Sequence, residues 1–340
     1  MSGQKIAVII LNWNGEKLLR EFLPSVIANT DSALARVIVA DNGSTDCSVE
    51  MLGREFPNVE VYVLDKNYGF AGGYNRCLEH YKDYPYTVLL NSDVAPHKGW
   101  IEALYDYMES NPDVAACQPK ILSYTDKGSF EYAGAAGGYI DRNGYPYCRG
   151  RVFDSVERNC GQYDTAADVF WATGAALMVR TARYLNVGGL DEAFFAHMEE
   201  IDLCWRLWLA GYRVSVEPRA VVEHLGGGSL PKSNPRKTYL NFRNNLLMMH
   251  KNLPVSTAGR HLFKRMVLDG VAWLKFALTG HFGDARAIWR AHRDFRKMRG
   301  DYTLHPEADL LQAMPDILID HYLRRPIKFI APGISAGRPS

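Results

Sequence analysis

The stretch from Lys5 to Asp46, KIAVIILNWNGEKLLREFLPSVIANTDSALARVIVADNGSTD, decides the fold class. It opens with Lys5 to Asn12, an apolar run of strand length that stops at Asn12-Trp13-Asn14. Glu16 to Asn29 then spaces its apolar residues along one helix face. Ala35 to Ala40 (ARVIVA) is a second buried-strand run, ended by the turn-rich Asp41-Asn42-Gly43-Ser44-Thr45-Asp46. Either Asp46 or Thr45 is placed to cap a helix near Val49 to Phe56. The alternation continues with a strand over Val59 to Leu64, a helix over Gly72 to Tyr81 and a strand over Thr87 to Leu90, closed by Asn91-Ser92-Asp93. Buried strands separated by helical crossovers predict an α/β, doubly wound sheet, which binds ligands beyond the carboxyl ends of its strands. The polar clusters at Asn12, Asp41 and Asn91 all stand at such ends and are expected to converge on one crevice.

At 340 residues, 47% hydrophobic and 23% charged, the chain has an ordinary globular composition. That excludes disordered, collagen-like and small disulfide-stapled classes. The longest candidate for a membrane span, Val267 to Gly280, is interrupted by Asp269 and Lys275. The apolar run at Ile6 to Leu11 is too short for a secretory leader. The six cysteines form no CxxC pair and have no metal spacing, so reduced thiols and a cytoplasmic setting are expected. The net charge of +1 conceals an asymmetry: residues 231–340 carry 19 Lys and Arg against 8 Asp and Glu, whereas residues 1–230 carry 20 against 30. An acidic part suits a cation site, and a basic part suits an anionic surface or substrate.

Residues 123–165, rich in Gly, Tyr, Asp and Arg, read as a long excursion or hairpin region. A strand over Ala175 to Arg180 and a helix over about Met198 to Leu209 follow. From Lys237 the pattern is helical and basic. Phe282 to Arg299 sets Ala285, Ile288, Trp289, His292 and Phe295 on one face and Arg286, Arg290, Arg293 and Lys297 on the other. The tail from Pro326 reads as loose. The expected division is a catalytic domain over 1–230, with a donor half to about 95 and an acceptor half beyond it, and a basic helical region over 231–340.

Six landmarks run in order along the chain. They are Asn12-Trp13-Asn14, the Asp41 cluster, Asn67 to Asn75 (NYGFAGGYN), Asn91-Ser92-Asp93, the run GGLDEAFFAHMEEIDLCWRLWLAG ending at Gly211, and His224 followed by Gly226-Gly227-Gly228-Ser229. In this order and spacing they resemble an inverting family-2 glycosyltransferase of GT-A fold, in the subgroup of bacterial rhamnosyltransferases and galactofuranosyltransferases. The resemblance implies a nucleotide-sugar-binding mixed sheet with a basic, helical C-terminal extension.

By the same resemblance, Asp41 accepts the donor base N–H, with Asn12 and Trp13 lining its pocket; Asp41 also fits a turn-forming cap. The segment holding Asn67, Gly72, Gly73 and Asn75 precedes or opens a helix, so its backbone N–H groups could face a pyrophosphate. No GxGxxG stands in the first βα turn, which argues against a dehydrogenase. Asp93 occupies the family's metal position, with neutral Asn91 two residues earlier contacting ribose or acting through water. His224 resembles a late histidine that completes the metal site, and imidazole suits Mn2+ better than Mg2+. Glu200 is the expected base, with Glu199 in reserve, while Asp202 and Arg206 are spaced as a supporting i, i+4 ion pair. Trp171 and Asp191 fall in segments that border the acceptor or donor sugar, although a buried aromatic is the commoner fate of a tryptophan. Arg243 is either a contact to the leaving diphosphate or a helix-surface ion pair.

The implied reaction moves a sugar, rhamnose as the first expectation, from a dTDP- or UDP-sugar to a hydroxyl of a growing surface polysaccharide or lipid-linked glycan. The basic helices would hold the enzyme on the anionic inner face of the cytoplasmic membrane. A non-catalytic nucleotide or glycan binder of the same fold is the alternative. A nucleic-acid partner is not expected, since the basic third carries no recognised module.

Overall fold

The computed structural model describes residues 3–226, 234–303 and 306–318. Its first part alternates as the sequence predicts: β1 (Ile6–Asn12), α1 (Glu16–Asn29), β2 (Ala35–Asp41), α2 (Ser48–Glu55), β3 (Glu60–Val63), α3 (Gly69–His80) and β4 (Tyr86–Leu90). The next elements are β5 (Val94–Pro96), α4 (Trp100–Ser110) and β6 (Val114–Ser123). The irregular middle contributes β7 (Gly138–Ile140), β8 (Pro146–Cys148), β9 (Arg151–Val152), β10 (Ser155–Val156) and β11 (Ala167–Asp168). Then come β12 (Ala176–Arg180), α5 (Thr181–Asn186), α6 (Glu199–Leu209) and β13 (Arg213–His224). Three long helices follow: α7 (Pro235–Asn252), α8 (Val255–Leu278) and α9 (Phe282–Met298).

Among the described residues, nine strands make one mixed sheet in the order β11-β13-β6-β12-β4-β1-β2-β3, with β5 paired to the end of β13. The β3-β2-β1-β4 part is wholly parallel. β12 enters antiparallel between β4 and β6, so one continuous sheet spans both sides of residue 95. The excursion read from 123–165 contains a separate antiparallel sheet of four short strands, β10-β9-β8-β7.

Register fixes the crevice. Asn12 pairs with Asp41 across β1 and β2, and Ile10 pairs with Leu90 across β1 and β4, so the three polar clusters end side by side. Val94 pairs with His224 across β5 and β13, and Leu225 N–H donates to the Asp93 carbonyl at 3.0 Å. That pairing brings His224 beside Asp93, 131 residues away in sequence.

Apolar packing covers both sheet faces. Leu19, Leu23, Met51, Leu52, Trp100 and Leu104 bury on one face. Tyr74, Leu78, Trp205, Leu247 and Met249 bury on the other, so α7 shares the core of the main body. Asp46 serves two helices: its carboxylate accepts the N–H and hydroxyl of Ser48, at 3.1 and 2.6 Å, and the N–H of Glu16 at 3.2 Å. Such contacts also hold its pKa below the usual range against the opposing effect of burial.

The face assigned to α9 needs one correction. Ala285, Ala287, Ile288, Ala291 and Phe295 are buried, but Trp289 is 60% exposed. Small Ala287 and Ala291 permit close approach to α7, and that turns the buried stripe away from Trp289. Gly227-Gly228-Ser229 and the tail from Pro326 lie outside the described residues.

The glycines of α3 make its close packing possible. A Cβ at Gly73 would stand 2.8 Å from Leu11 Cδ2 and 3.2 Å from Asn42 Nδ2. Gly73→Ala should therefore lower stability by about 1–3 kcal/mol through overpacking against β1, read as a lower urea midpoint.

Candidate active site

The carboxyl ends of β1 and β2 carry a closed polar knot. Asn12 Nδ2 donates to Asp41 Oδ2 at 3.0 Å and to Ser44 Oγ at 3.2 Å, while Ser44 N–H donates to Asp41 Oδ1 at 2.9 Å. Asp41 is 1% exposed and is a turn-forming cap in this arrangement; a carboxylate has about four acceptor positions, so the two bonds do not exhaust it. Trp13 projects at the mouth, 56% exposed.

The Asn67–Asn75 segment is fastened from within. Asn67 Oδ1 accepts the N–H of Gly69 at 2.7 Å and an amide N–H of Asn42 at 3.2 Å. The Phe195 carbonyl accepts Phe70 N–H at 3.1 Å. These acceptors take up the first N–H groups at the amino end of α3, which the sequence reading offered to a pyrophosphate. Gly72 and Gly73 are buried packing positions. Asn75 uses its whole amide elsewhere: it donates to Leu190 O and Glu192 Oε1 and accepts from Tyr184 OH and Leu190 N–H. It pins the 189–192 turn to α3 and has nothing left for a cofactor.

At the end of β4 a second corner forms. His224 Nε2 lies 3.1 Å from Asp93 Oδ1 and 3.4 Å from Asn91 Nδ2. On its other side Nδ1 stands 3.7 Å from Glu131 Oε2, beyond hydrogen-bond reach. Asp93, Glu131 and His224 are all buried. Burial alone would push the imidazolium down, but the hydrogen bond to Asp93 and the negative charges of Asp93 and Glu131 outweigh it and carry His224 up to about 10. Glu131 was not legible in advance, because it sits in the aperiodic middle of the chain.

Two neighbouring ligands of an octahedral Mg2+-sized ion stand about 3 Å apart, so Asp93 Oδ1 and His224 Nε2 have the separation of a two-residue cation corner once the shared proton is lost. Glu131 is placed as the carboxylate that orients a ligating histidine from behind. Among the described residues, no group of three or more His, Cys, Asp and Glu converges on a metal-sized point. A cation at this corner would need oxygens from water or a bound substrate to complete its shell.

The third part is the amino end of α6. Residues 195–198 enter it under strain, with positive φ at Phe195 (64°), His197 (70°) and Met198 (74°). α7 holds this loop. Asn244 Nδ2 donates to the carbonyls of Phe194, Ala196 and His197 at 2.7–3.0 Å. Arg243 Nη2 donates to the carbonyls of Ala193 and Phe194, and its Nε to Asn244 Oδ1. The Arg243 guanidinium therefore clamps this loop through Nε and Nη2.

Glu199, Glu200 and Asp202 occupy three different environments within four residues. Asp202 is fully buried and accepts from Arg206, Lys251 and Asn252 at 2.7–3.1 Å. Burial opposes its charge, but Arg206, Lys251 and Asn252 hold its pKa below the usual range. Glu199 and Glu200 have no such cations, and each keeps a buried Oε2 without a hydrogen-bond partner. Burial and then the charge of Glu200 push Glu199 well up, while burial pushes Glu200 up to about 7. Glu200 Cβ is 3.8 Å from the position of a Cβ on Gly174, and the adjacent Ala175 carbonyl accepts Asn91 N–H. The amino end of α6 thus packs against the 174–175 segment that bonds to the end of β4.

His197, missed in the sequence, joins this region with its Nε2 unpartnered; burial, then Lys237, press it down to about 4. Asp191 caps the short turn Glu192–Phe194 through Ala193 N–H and pairs with Lys251 at 2.7 Å, which makes it a frame residue. Trp171 is a core residue: its Nε1 donates to Tyr139 O at 2.8 Å, and its ring closes on Gly138.

A family model described as "Glycosyl transferase family 2" matches residues 7–162. Residues 7–162 are a family-2 glycosyltransferase domain, and the chain is a glycosyltransferase. It is 27% identical over 234 residues, 64% of its length and 75% of the relative's, to the N-acetylglucosaminyl-diphospho-decaprenol L-rhamnosyltransferase of Mycobacterium tuberculosis. Its fold is GT-A-like. The structure of S. aureus TarS 1-349 in complex with UDP-GlcNAc covers 86% of this chain, which spans 80% of that one, at a TM-score of 0.57 and 16% identity. GalNAc-T7 with UDP, GalNAc and Mn2+ aligns over 73% of this glycosyltransferase and 48% of its own chain, at a TM-score of 0.56 and 15% identity.

Removing one member of the buried Asp202 cluster strands the others. Asp202→Asn should cost about 3–5 kcal/mol of stability, seen as a lower urea midpoint at an unchanged slope.

Proposed function

We propose that this glycosyltransferase moves a sugar from a nucleoside-diphosphate donor to an acceptor hydroxyl by a single inverting displacement, with residues 1–230 as the catalytic unit. Glu200 carries the reading: it is a carboxylate with a free buried oxygen, set against the 174–175 segment that bonds to Asn91 and poised by burial to titrate near neutral pH. Its neighbour Asp202 is locked in ion pairs, and Glu199 is more deeply buried. As the acceptor oxygen bonds to the anomeric carbon, Glu200 takes the hydroxyl proton. The bond from that carbon to the diphosphate oxygen breaks on the opposite face, and its electron pair leaves with the nucleoside diphosphate. Asp93 and His224 are the residues that would hold a divalent cation, Mg2+ or Mn2+, whose chemistry is Lewis-acid neutralisation of charge on the departing diphosphate. Glu131 orients His224. Asp41, Asn12 and Trp13 are the proposed contacts of the donor base.

The similarity to a named L-rhamnosyltransferase supports rhamnose as the sugar, and its name also supports a lipid-diphosphate-linked glycan as acceptor. A dTDP- or UDP-sugar is the donor we propose.

The donor site is tested by thermal stabilisation with UDP, dTDP, GDP and CMP, each with and without Mn2+. UDP or dTDP at a hundred times Kd should stabilise by about 2.7 kcal/mol. The metal-dependent part should vanish in Asp93→Asn and weaken in Glu131→Gln. No response to any nucleotide would leave the non-catalytic binder as the better reading.

The base has a signature of its own. A carboxyl group whose folded pKa is raised must be ionised to act, so kcat/KM should rise with pH through about 7. The same shift destabilises the fold as pH climbs from the ordinary glutamate range toward 7, because ionisation is harder in the folded state. Glu200→Gln should then abolish transfer, retain nucleotide binding, and be more stable than the wild type at pH 8 by about 1–3 kcal/mol. Transfer that survives in this variant would remove Glu200 as the base.

A further inference from the structure

The solvent side of α8 is as apolar as its packed side. Ala258, Leu262, Arg265 and Asp269 are buried toward the body, and the two charges among them pair at 2.7 Å. Phe263, Val267, Val271, Leu274 and Leu278 face outward and are 50–78% exposed. At 3.6 residues per turn the two rows lie about 170° apart, so an apolar stripe runs along the free side of the helix. No residue of α8 beyond Asp269 is buried. The last nine residues, GVAWLKFAL, therefore project about 13 Å past the last buried position. Phe282, 71% exposed, opens α9 just after the turn, and Trp273 and Trp289 are 41% and 60% exposed on the two arms. The hairpin tip thus presents two tryptophans and a row of large aliphatic and aromatic side chains to solvent.

Cations surround it. Residues 255–299 hold ten Lys and Arg against three Asp. Lys264 and Lys275 flank the stripe, and Arg286, Arg290, Arg293, Arg296 and Lys297 line the exposed side of α9. Arg286 and Arg290 also wall, with Arg236 and Tyr239, a cavity of about 520 Å3 between α7 and α9. Among the described residues, no helix is long and apolar enough to cross a membrane. A helix with an apolar face, tryptophans and a cationic border lies in the plane of a bilayer interface instead.

We infer that the α8–α9 hairpin tip inserts into the headgroup region of an anionic bilayer, with Val271, Leu274, Leu278 and Phe282 entering the acyl boundary. Lys275, Arg286, Arg290 and Arg293 meet lipid phosphates around it. Charge selects this occupant over a second copy of the chain, because a two-fold contact through the tip would bring two cationic borders together. This goes beyond the reaction proposed above and stands or falls without it.

Sedimentation of the full chain with vesicles of phosphatidylglycerol and phosphatidylcholine, and with phosphatidylcholine alone, tests the inference. Wild type should bind the anionic vesicles, and Leu274→Asp/Leu278→Asp should bind them at least about tenfold more weakly. Both positions are exposed, so circular dichroism and nucleotide-induced thermal shifts should match the wild type. Shallow spin-labelled lipids should quench tryptophan emission, and less so in Trp273→Phe. Arg286→Glu/Arg290→Glu/Arg293→Glu should lose the preference for anionic lipid. Equal binding by the Asp double variant, absent wild-type binding, or undiminished binding by the Glu triple variant would overturn the inference. So would a lipid-free dimer that the Asp substitutions dissociate.

Discussion

The buried carboxylate of Asp202 sets the position of the amino end of α6. It lies in the first turn of α6, and it gathers Arg206 from the same helix with Lys251 and Asn252 from the end of α7. Arg206 extends the network to the Val187 and Gly189 carbonyls, and Lys251 extends it to Asp191. Three segments, 187–191, 202–206 and 251–252, are thereby fixed around one charge. A buried charge is tolerated only when its partners satisfy it, so the geometry of this knot has little freedom. Asn75 completes the frame by tying Leu190 back to α3, and hence to the sheet.

That rigidity permits the opposite treatment of Glu199 and Glu200. A helix amino terminus favours negative charge, yet neither side chain receives a cation, and burial raises both. Carboxylates two or three residues apart are thus driven in opposite directions by their surroundings, which separates a structural anion from a proton acceptor. The cost falls on the fold. The strained loop at 195–198 and the unsatisfied glutamate oxygens are both unfavourable locally, and they persist because Asn244 and Arg243 clamp the loop from outside. Asp202 and Glu200 also respond to pH in opposite senses: the stability contributed by Asp202 fades as acid protonates it, whereas Glu200 detracts increasingly as pH rises toward 7.

The parts of the site legible in the sequence are those that a strand must reveal. Strands buried on both faces end where polar residues begin, so Asn12, Asp41 and Asn91 announced the crevice by position alone. Asp93 and His224 could be joined only through the family resemblance, because the register of β5 on β13 cannot be read locally. Glu131, Asn244 and Lys251 gave no periodic signal, since their roles exist only once distant segments meet. Asn67, Asn75 and Arg243 show the converse difficulty. The groups that suit a phosphate or ribose are the groups that suit exposed backbone carbonyls and amides, and here the backbone claims them. Trp289 departs from its expected face because small alanines, rather than the largest side chain, set the α7–α9 contact.

α7 connects these observations. One end of the helix grips the loop before Glu199 and the far side of Asp202, while its flank packs against α9. A surface that holds α9 therefore also fixes the orientation of the crevice through rigid, directly bonded elements. An acceptor with its diphosphate at a bilayer surface offers its hydroxyl only within a thin layer above the headgroups, whereas a soluble donor arrives from any direction. For such a pair of substrates the useful contribution of a peripheral anchor is orientation. Effective concentration rises when the reacting groups are held at a fixed height and angle, and it falls away when the tether is loose. The Asn244 and Arg243 clamps make the link from α9 to Glu200 short and stiff. The same contacts that maintain the strained loop would thereby carry the angle of the membrane plane to Glu200, the proposed base.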